Sequence, residues 1–115
     1  METILVVDDE KNYLLVLSEI LQDEGYEVLT AQSGIEALEI QKSSDLDLIL
    51  TDMKMPTMDG MELLENIKAL DPDLPVIMMT AHGTIDKAVE AMQKGAYSYI
   101  LKPFDNERLT LYVKK

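Results

Sequence analysis

Short apolar runs alternate along the chain with stretches whose apolar residues recur at helical spacing. Ile4-Leu5-Val6-Val7 is continuous and β-branched, which predicts a strand buried on both faces. Asn12 to Glu24 follows as a helix, with Leu14, Leu17 and Leu21 on one face and Gly25 just past its end, where a left-handed conformation is common. Glu27-Val28-Leu29-Thr30 alternates like an edge strand. Ser33 is placed to cap a helix through about Lys42, with Glu36 as its capping-box partner. Leu48-Ile49-Leu50-Thr51 predicts a third strand, and a loop from Met53 to Asp59 leads to a helix over Gly60–Leu70. The turn chemistry of Asp71-Pro72-Asp73-Leu74-Pro75 precedes a fourth strand, Val76-Ile77-Met78-Met79. Thr84 then caps a helix whose apolar face is Ile85, Ala88, Val89 and Met92 at i, i+3, i+4, i+7, and Gly95 ends it. Tyr97 to Leu101 is a fifth strand, and Asp105 caps a last helix, Asn106 to Lys115.

This is a βα unit repeated five times. Strands alternating with helices make a parallel sheet covered on both faces. Five strands at this length favour a flavodoxin-like (βα)5 fold, strand order 2-1-3-4-5. The 115 residues suit one domain with one core. The last helix has about ten residues and no Gly or Pro stop signal. The expectation is a domain over 1–115 cut from something longer, with its last helix truncated.

Charge narrows the partners. Ten Lys and Arg stand against 22 Asp and Glu, a formal net charge of −12. A phosphate backbone attracts clustered Lys and Arg, whereas this chain has Arg108 as its only arginine. Direct nucleic-acid binding by this domain is not expected. No apolar run approaches the roughly 20 residues of a membrane span. No secretory signal is visible. The absence of cysteine excludes disulfides and thiolate metal sites and fits a reducing, cytoplasmic setting.

In open α/β sheets, ligands bind beyond the carboxyl ends of the strands, near the point where strand order reverses. Asp8, Asp9 and Glu10 follow strand 1, Asp52 follows strand 3, Thr80 and Ala81 follow strand 4, and Lys102 and Pro103 follow strand 5. The predicted order makes these strands neighbours. Three carboxylates in one crevice are costly without a cation. All-oxygen donors suit Mg²⁺ or Mn²⁺. Asp8, Asp9, Asp52, a divalent ion and Lys102 balance to zero, a charge that admits a phosphoryl dianion. Each residue also has a plainer reading. Asp8-Asp9-Glu10 suit a helix start, Asp52 a turn, Thr80 a cap and Lys102 a solvated strand end. The four plain readings are hard to hold together at the correct ends of the correct strands. Met53, Met55, Met58 and Met61 read as packing. His82 reads equally as a rim histidine or a site residue. A P-loop or dinucleotide fingerprint needs glycines after strand 1, where this chain has Asp-Asp-Glu-Lys-Asn.

These residues carry a resemblance. Ile4-Leu5-Val6-Val7-Asp8-Asp9-Glu10, Leu50-Thr51-Asp52-Met53-Lys54-Met55-Pro56-Thr57-Met58-Asp59-Gly60, Met79-Thr80-Ala81 and Leu101-Lys102-Pro103-Phe104 together resemble the receiver domain of bacterial two-component response regulators. Thr80-Ala81-His82-Gly83 and Lys102-Pro103-Phe104-Asp105 are most similar to the NtrC-type regulators, in which a receiver precedes an AAA+ ATPase and a DNA-binding domain. The resemblance implies that Asp52 is the phosphoacceptor, with a sensor histidine kinase as donor. It implies that Asp9, Asp52 and the Lys54 backbone carbonyl bind Mg²⁺, with Asp8 acting through water. Lys102 would pair with the phosphoryl group, and the Thr80 hydroxyl would turn towards it. Tyr99 would change rotamer with Thr80, and Ala81 would leave access to Asp52. The Lys102–Pro103 peptide would be cis. Lys54 and His82 would tune hydrolysis. With a long side chain at each, a long-lived phosphoryl group is expected, and loss within seconds would refute this.

The resemblance thus implies a phosphorylation-controlled signalling switch, not a turnover enzyme. It would act on its own output domain, absent from this chain and expected to activate transcription, and possible self-association would use helix 4, strand 5 and helix 5. Two other readings compete. A metal-dependent aspartyl phosphohydrolase would carry Asp-x-Asp after strand 1 and a cap domain. A pseudo-receiver binding module would lack one of the acidic or lysine positions.

Overall fold

The computed structural model describes residues 2–55, 57–80, 85–102 and 113. Among these residues nine elements run β1 (Thr3–Val7), α1 (Lys11–Asp23), β2 (Glu27–Ala31), α2 (Gly34–Ser43), β3 (Leu48–Asp52), α3 (Gly60–Leu70), β4 (Val76–Thr80), α4 (Ile85–Gln93) and β5 (Ser98–Leu101). All five strands are parallel, in the order β2-β1-β3-β4-β5. The predicted flavodoxin-like architecture is therefore the observed one. The expectations at Ala81, His82, Gly83 and Thr84, the cis Lys102–Pro103 bond, Phe104, the Asp105 cap and the last helix lie outside the described residues.

Strand side chains alternate between the two sheet faces, and the two faces carry separate clusters. Ile4, Val6, Leu48, Leu50, Ile77 and Met79 meet Leu14, Leu17 and Leu21 of α1. Leu5, Val7, Ile49, Val76 and Met78 meet Ala37 of α2, Leu63, Leu64 and Ile67 of α3, and Ala91 of α4. Every residue of β3 and β4 is buried, as both faces being covered requires. Met55 and Met61 are buried, and Met53 and Met58 pack against the same cluster, as the packing reading expects.

Local signals act much as read. Gly25 and Gly95 take the left-handed φ of +95° and +102° behind α1 and α4. The Ser33 hydroxyl accepts from Glu36 N at 3.2 Å. The Glu36 carboxylate reaches the Gln32 N–H at 2.7 Å, one residue before the cap and not the cap itself. Two expectations change. Asp52 and Thr80 are the last residues of their strands instead of the first beyond them, because Met53 N still donates to Met79 O (2.9 Å) and Lys102 N to Thr80 O (2.7 Å). In α4, Val89 and Met92 are about half exposed while Ala91 is buried. Among its described side chains the helix meets the sheet through the small Ala91, so Val89 and Met92 face outward.

Candidate functional site

Four neighbouring strands deliver the site. β1 and β3 pair from Ile4–Leu48 to Val7–Thr51, so Asp8 and Asp52 leave the sheet side by side. This is where strand order reverses, since β2 follows β1 in the chain but lies on its outer side. β5 pairs with β4 up to Leu101–Thr80 and brings Lys102 in from the far edge.

The charged groups converge. Lys102 Nζ lies 2.9 Å from Asp8 Oδ2 and 3.3 Å from Asp52 Oδ1. The Asp8 side chain is fully buried and that of Lys102 is 14% exposed, which rules out the solvated-strand-end reading of Lys102. The other Asp8 oxygen, Oδ1, accepts from Glu10 N at 2.9 Å. Asp8 thus stabilises the turn into α1 while pairing directly with Lys102. Asp9 is exposed at the rim. Asp8, Asp9 and Asp52 each offer one carboxylate oxygen within 4.8 Å of the others.

Burial raises the Asp52 carboxyl above the ordinary carboxylate range. Lys102 opposes the rise, the Asp8 charge adds to it, and the Met53 N–H lowers it. For Lys102, burial alone would lower the ammonium. The hydrogen bond to Asp8 and the charges of Asp52, Asp8 and Tyr13 outweigh burial and leave it raised. Three carboxylates against one ammonium leave the site at a formal −2, one divalent ion short of neutrality. The donors are all oxygen and only one is exposed, which fits a hard divalent cation.

Thr80 is buried at the end of β4. Tyr99 of β5 stands opposite Met78 in the ladder and packs against the cluster under α3. Burial raises the Tyr99 phenol, and the nearby Thr80 hydroxyl acts the other way. The buried Tyr99 hydroxyl itself makes no hydrogen bond among the described residues. Lys54 is exposed in the loop after β3, and within that loop Thr57 adopts φ +72°. Gly60 opens α3 directly against the site. A Cβ there would meet Asp52 O at 2.5 Å and Met53 Cα at 2.7 Å.

One residue escaped the sequence reading. The Tyr13 ring, on the first turn of α1, lies under the Lys102 ammonium with Nζ 4.1 Å from its centroid. Tyr13 sits beside the leucine stripe of that helix and reads as part of an apolar run. The available signal was its place, one turn beyond the Asp8-Asp9 pair.

A family model described as the response regulator receiver domain matches residues 4–114. The transcriptional regulatory protein ZraR of Klebsiella oxytoca is 44% identical over 108 residues, covering 94% of this chain and 24% of that protein. The chain thus spans about a quarter of that regulator's length. The beryllofluoride-activated NtrC4 receiver domain dimer superposes with a TM-score of 0.94 at 43% identity, covering 99% of this chain and 94% of that one. The response regulator TrrA of Thermotoga maritima, in complex with Mg²⁺ and beryllofluoride, does so with a TM-score of 0.91 at 38% identity, covering 99% and 97%.

Proposed function

The chain belongs to the response regulator receiver domain family, and we propose that it is a phosphorylation-controlled switch whose phosphoryl acceptor is Asp52. The observation that carries this is the convergence of Asp8, Asp9, Asp52 and Lys102 at the carboxyl edge of the sheet.

The Asp52 carboxylate attacks phosphorus in line. An oxygen–phosphorus bond forms, and the bond from phosphorus to the donor, a phosphohistidine nitrogen of a sensor kinase, breaks. The electron pair leaves with the imidazole. Lys102, held 3.3 Å from Asp52 Oδ1, is placed to meet the negative charge on the transferred oxygens. A Mg²⁺ or Mn²⁺ ion held by Asp9, Asp52 and the Lys54 carbonyl, with Asp8 through water, would neutralise the remaining charge and stabilise the oxygens in transfer. The Mg²⁺ and beryllofluoride of the TrrA complex support this reading, since beryllofluoride imitates a tetrahedral phosphoryl group.

Phosphorylation adds to a carboxylate oxygen of Asp52, beside Lys102, a bulkier and more highly charged group. The Thr80 hydroxyl turns towards it, and Tyr99, whose buried hydroxyl has no hydrogen bond among the described residues to hold it, follows. Lys102 N bonds to Thr80 O, so the ends of β4 and β5 move together. The response reaches a surface where Val89, Met92, Tyr97 and Leu101 are about half exposed. That surface suits an output domain or a second copy of the chain, and the beryllofluoride-activated NtrC4 receiver is a dimer. The setting is cytoplasmic and the output is transcription activation; the ZraR relative, a transcriptional regulatory protein, supports an output in transcription. Lys54 and His82 set how long the acyl phosphate lasts.

The test is covalent labelling. With Mg²⁺ and acetyl phosphate, intact-mass spectrometry should show one added phosphoryl group. Asp52→Asn should abolish it. Equal labelling of that variant sinks the assignment.

A further inference from the structure

Lys102 makes more contacts than two ion pairs. An ammonium has three N–H donors. Two directions are taken by Asp8 at 2.9 Å and Asp52 at 3.3 Å. The Tyr13 ring covers another side, 4.1 Å from Nζ to its centroid, well inside the roughly 6 Å reach of a cation–π contact. The Lys102 side chain is only 14% exposed, so this contact operates in a largely desolvated place. There the ring face excludes the water that would otherwise compete for the ammonium.

We propose that Tyr13 is a positioning residue for Lys102, its ring holding the ammonium at the site while leaving the nitrogen room to follow an incoming phosphoryl group. The proposal rests on the assignment of Asp52 as acceptor. The argument is directional. A hydrogen bond fixes an ammonium along one line, whereas a ring face attracts it over an area. When Asp52 gives up a carboxylate oxygen to phosphorus, Lys102 must turn from that oxygen towards the phosphoryl group. A third hydrogen-bonding partner would resist the turn, and open water would release the chain into several rotamers. The Tyr13 face does neither. Its α1 position also links the ammonium to the same turn that Asp8 stabilises through Glu10 N.

The plain alternative is that Tyr13 only packs against the α1 cluster. Three replacements separate the two. Tyr13→Phe keeps the ring and its quadrupole. Tyr13→Leu keeps apolar bulk and removes the ring. Pentafluorophenylalanine at position 13 keeps the shape and reverses the quadrupole, so it answers the question even if the leucine variant folds poorly. The first readout is the ring-current shift of the Lys102 side-chain methylene protons in the metal-free, unphosphorylated chain. It should persist in Tyr13→Phe and vanish in Tyr13→Leu. The second is the rate of labelling by acetyl phosphate with Mg²⁺. Tyr13→Phe should stay within about twofold of the parent, while the leucine and pentafluoro variants slow by about 3- to 30-fold. A pentafluoro variant as fast as the parent, or a Lys102 signal blind to the ring, overturns the proposal with the Asp52 assignment intact. A parent chain that takes no phosphoryl group overturns that assignment and the positioning role with it. The ring-current shift would still decide the contact.

Discussion

Lys102→Met should cost the metal-free protein about 3–5 kcal/mol at neutral pH, the range for removing one partner of a buried ion pair. The ammonium lies 2.9 Å from a fully buried carboxylate and 3.3 Å from a second. At an effective dielectric constant of about 20 each contact is worth roughly 5 kcal/mol in gross Coulomb energy. Much of that offsets the desolvation of the ions, so the net loss is smaller. Methionine matches the stem of the lysine, so little of the change comes from a cavity. Unfolding entropy of about 2.1 cal/mol/K per residue converts the loss to a fall in Tm of roughly 12–20 °C. The pH dependence has a definite sign. The Asp52 carboxyl is already raised by burial, and Lys102 is the first influence that lowers it. Without Lys102 it rises further. A raised folded pKa gives stability that is complete below the unfolded carboxylate value and is lost as pH climbs through the folded one. The deficit should therefore be small near pH 4 and grow towards pH 7. Mg²⁺ should recover part of it, about 2.7 kcal/mol at a hundred times its Kd. Urea unfolding of parent and variant between pH 4 and 8, with chelator and with Mg²⁺, measures all three. A loss under about 1 kcal/mol at pH 7, or one independent of pH, would refute the view that Lys102 holds the carboxylates together.

Gly60→Ala should destabilise by about 1–3 kcal/mol in thermal unfolding. Its Cβ would push on backbone at Asp52 and Met53 instead of on a side-chain end that can swing away, so labelling of Asp52 should slow as well. Thr57→Gly should stabilise by about 0.5–1 kcal/mol in urea unfolding. It relieves a β-branched residue at φ +72°, and the gain is partly offset by the chain entropy of glycine.

The sequence made the sheet legible because period and punctuation agreed. Ile4–Val7 and Val76–Met79 are too short and too apolar to be surface helices, and Gly25 and Gly95 mark helix ends that only a left-handed residue closes well. The carboxylates and Lys102 were legible because the strand order alone brings the ends of β1, β3 and β5 together. What stayed hidden depends on side-chain direction. Hydrophobic spacing in α4 picks out Val89 and Met92, but which stripe faces the sheet is decided by how closely the backbone approaches it. That a tyrosine one turn into α1 lies beneath a lysine 89 positions later follows from the twist of the sheet and two rotamers, none of which a periodicity records.

The same contrast in packing predicts which helix yields first. α3 buries Met61, Leu63, Leu64 and Ile67. At about 1.5–3 kcal/mol for each large side chain, and as an upper estimate given a compact unfolded chain, that holds the helix by several kcal/mol. Among the described side chains of α4, Ala91 alone is fully buried, while Val89 and Met92 gain little by staying where they are. Local opening free energies follow buried apolar contacts, so α4 should open far more readily than α3. A gap of about 3 kcal/mol corresponds to roughly a hundredfold difference in rate. Native-state amide exchange should show the α4 amides exchanging at least that much faster than those of α3. Equal protection would mean that α4 is held by something other than its described contacts. Its neighbour β5 could not then pass a shift of Lys102 and Tyr99 outward by moving α4, and the output would have to leave the domain through another face.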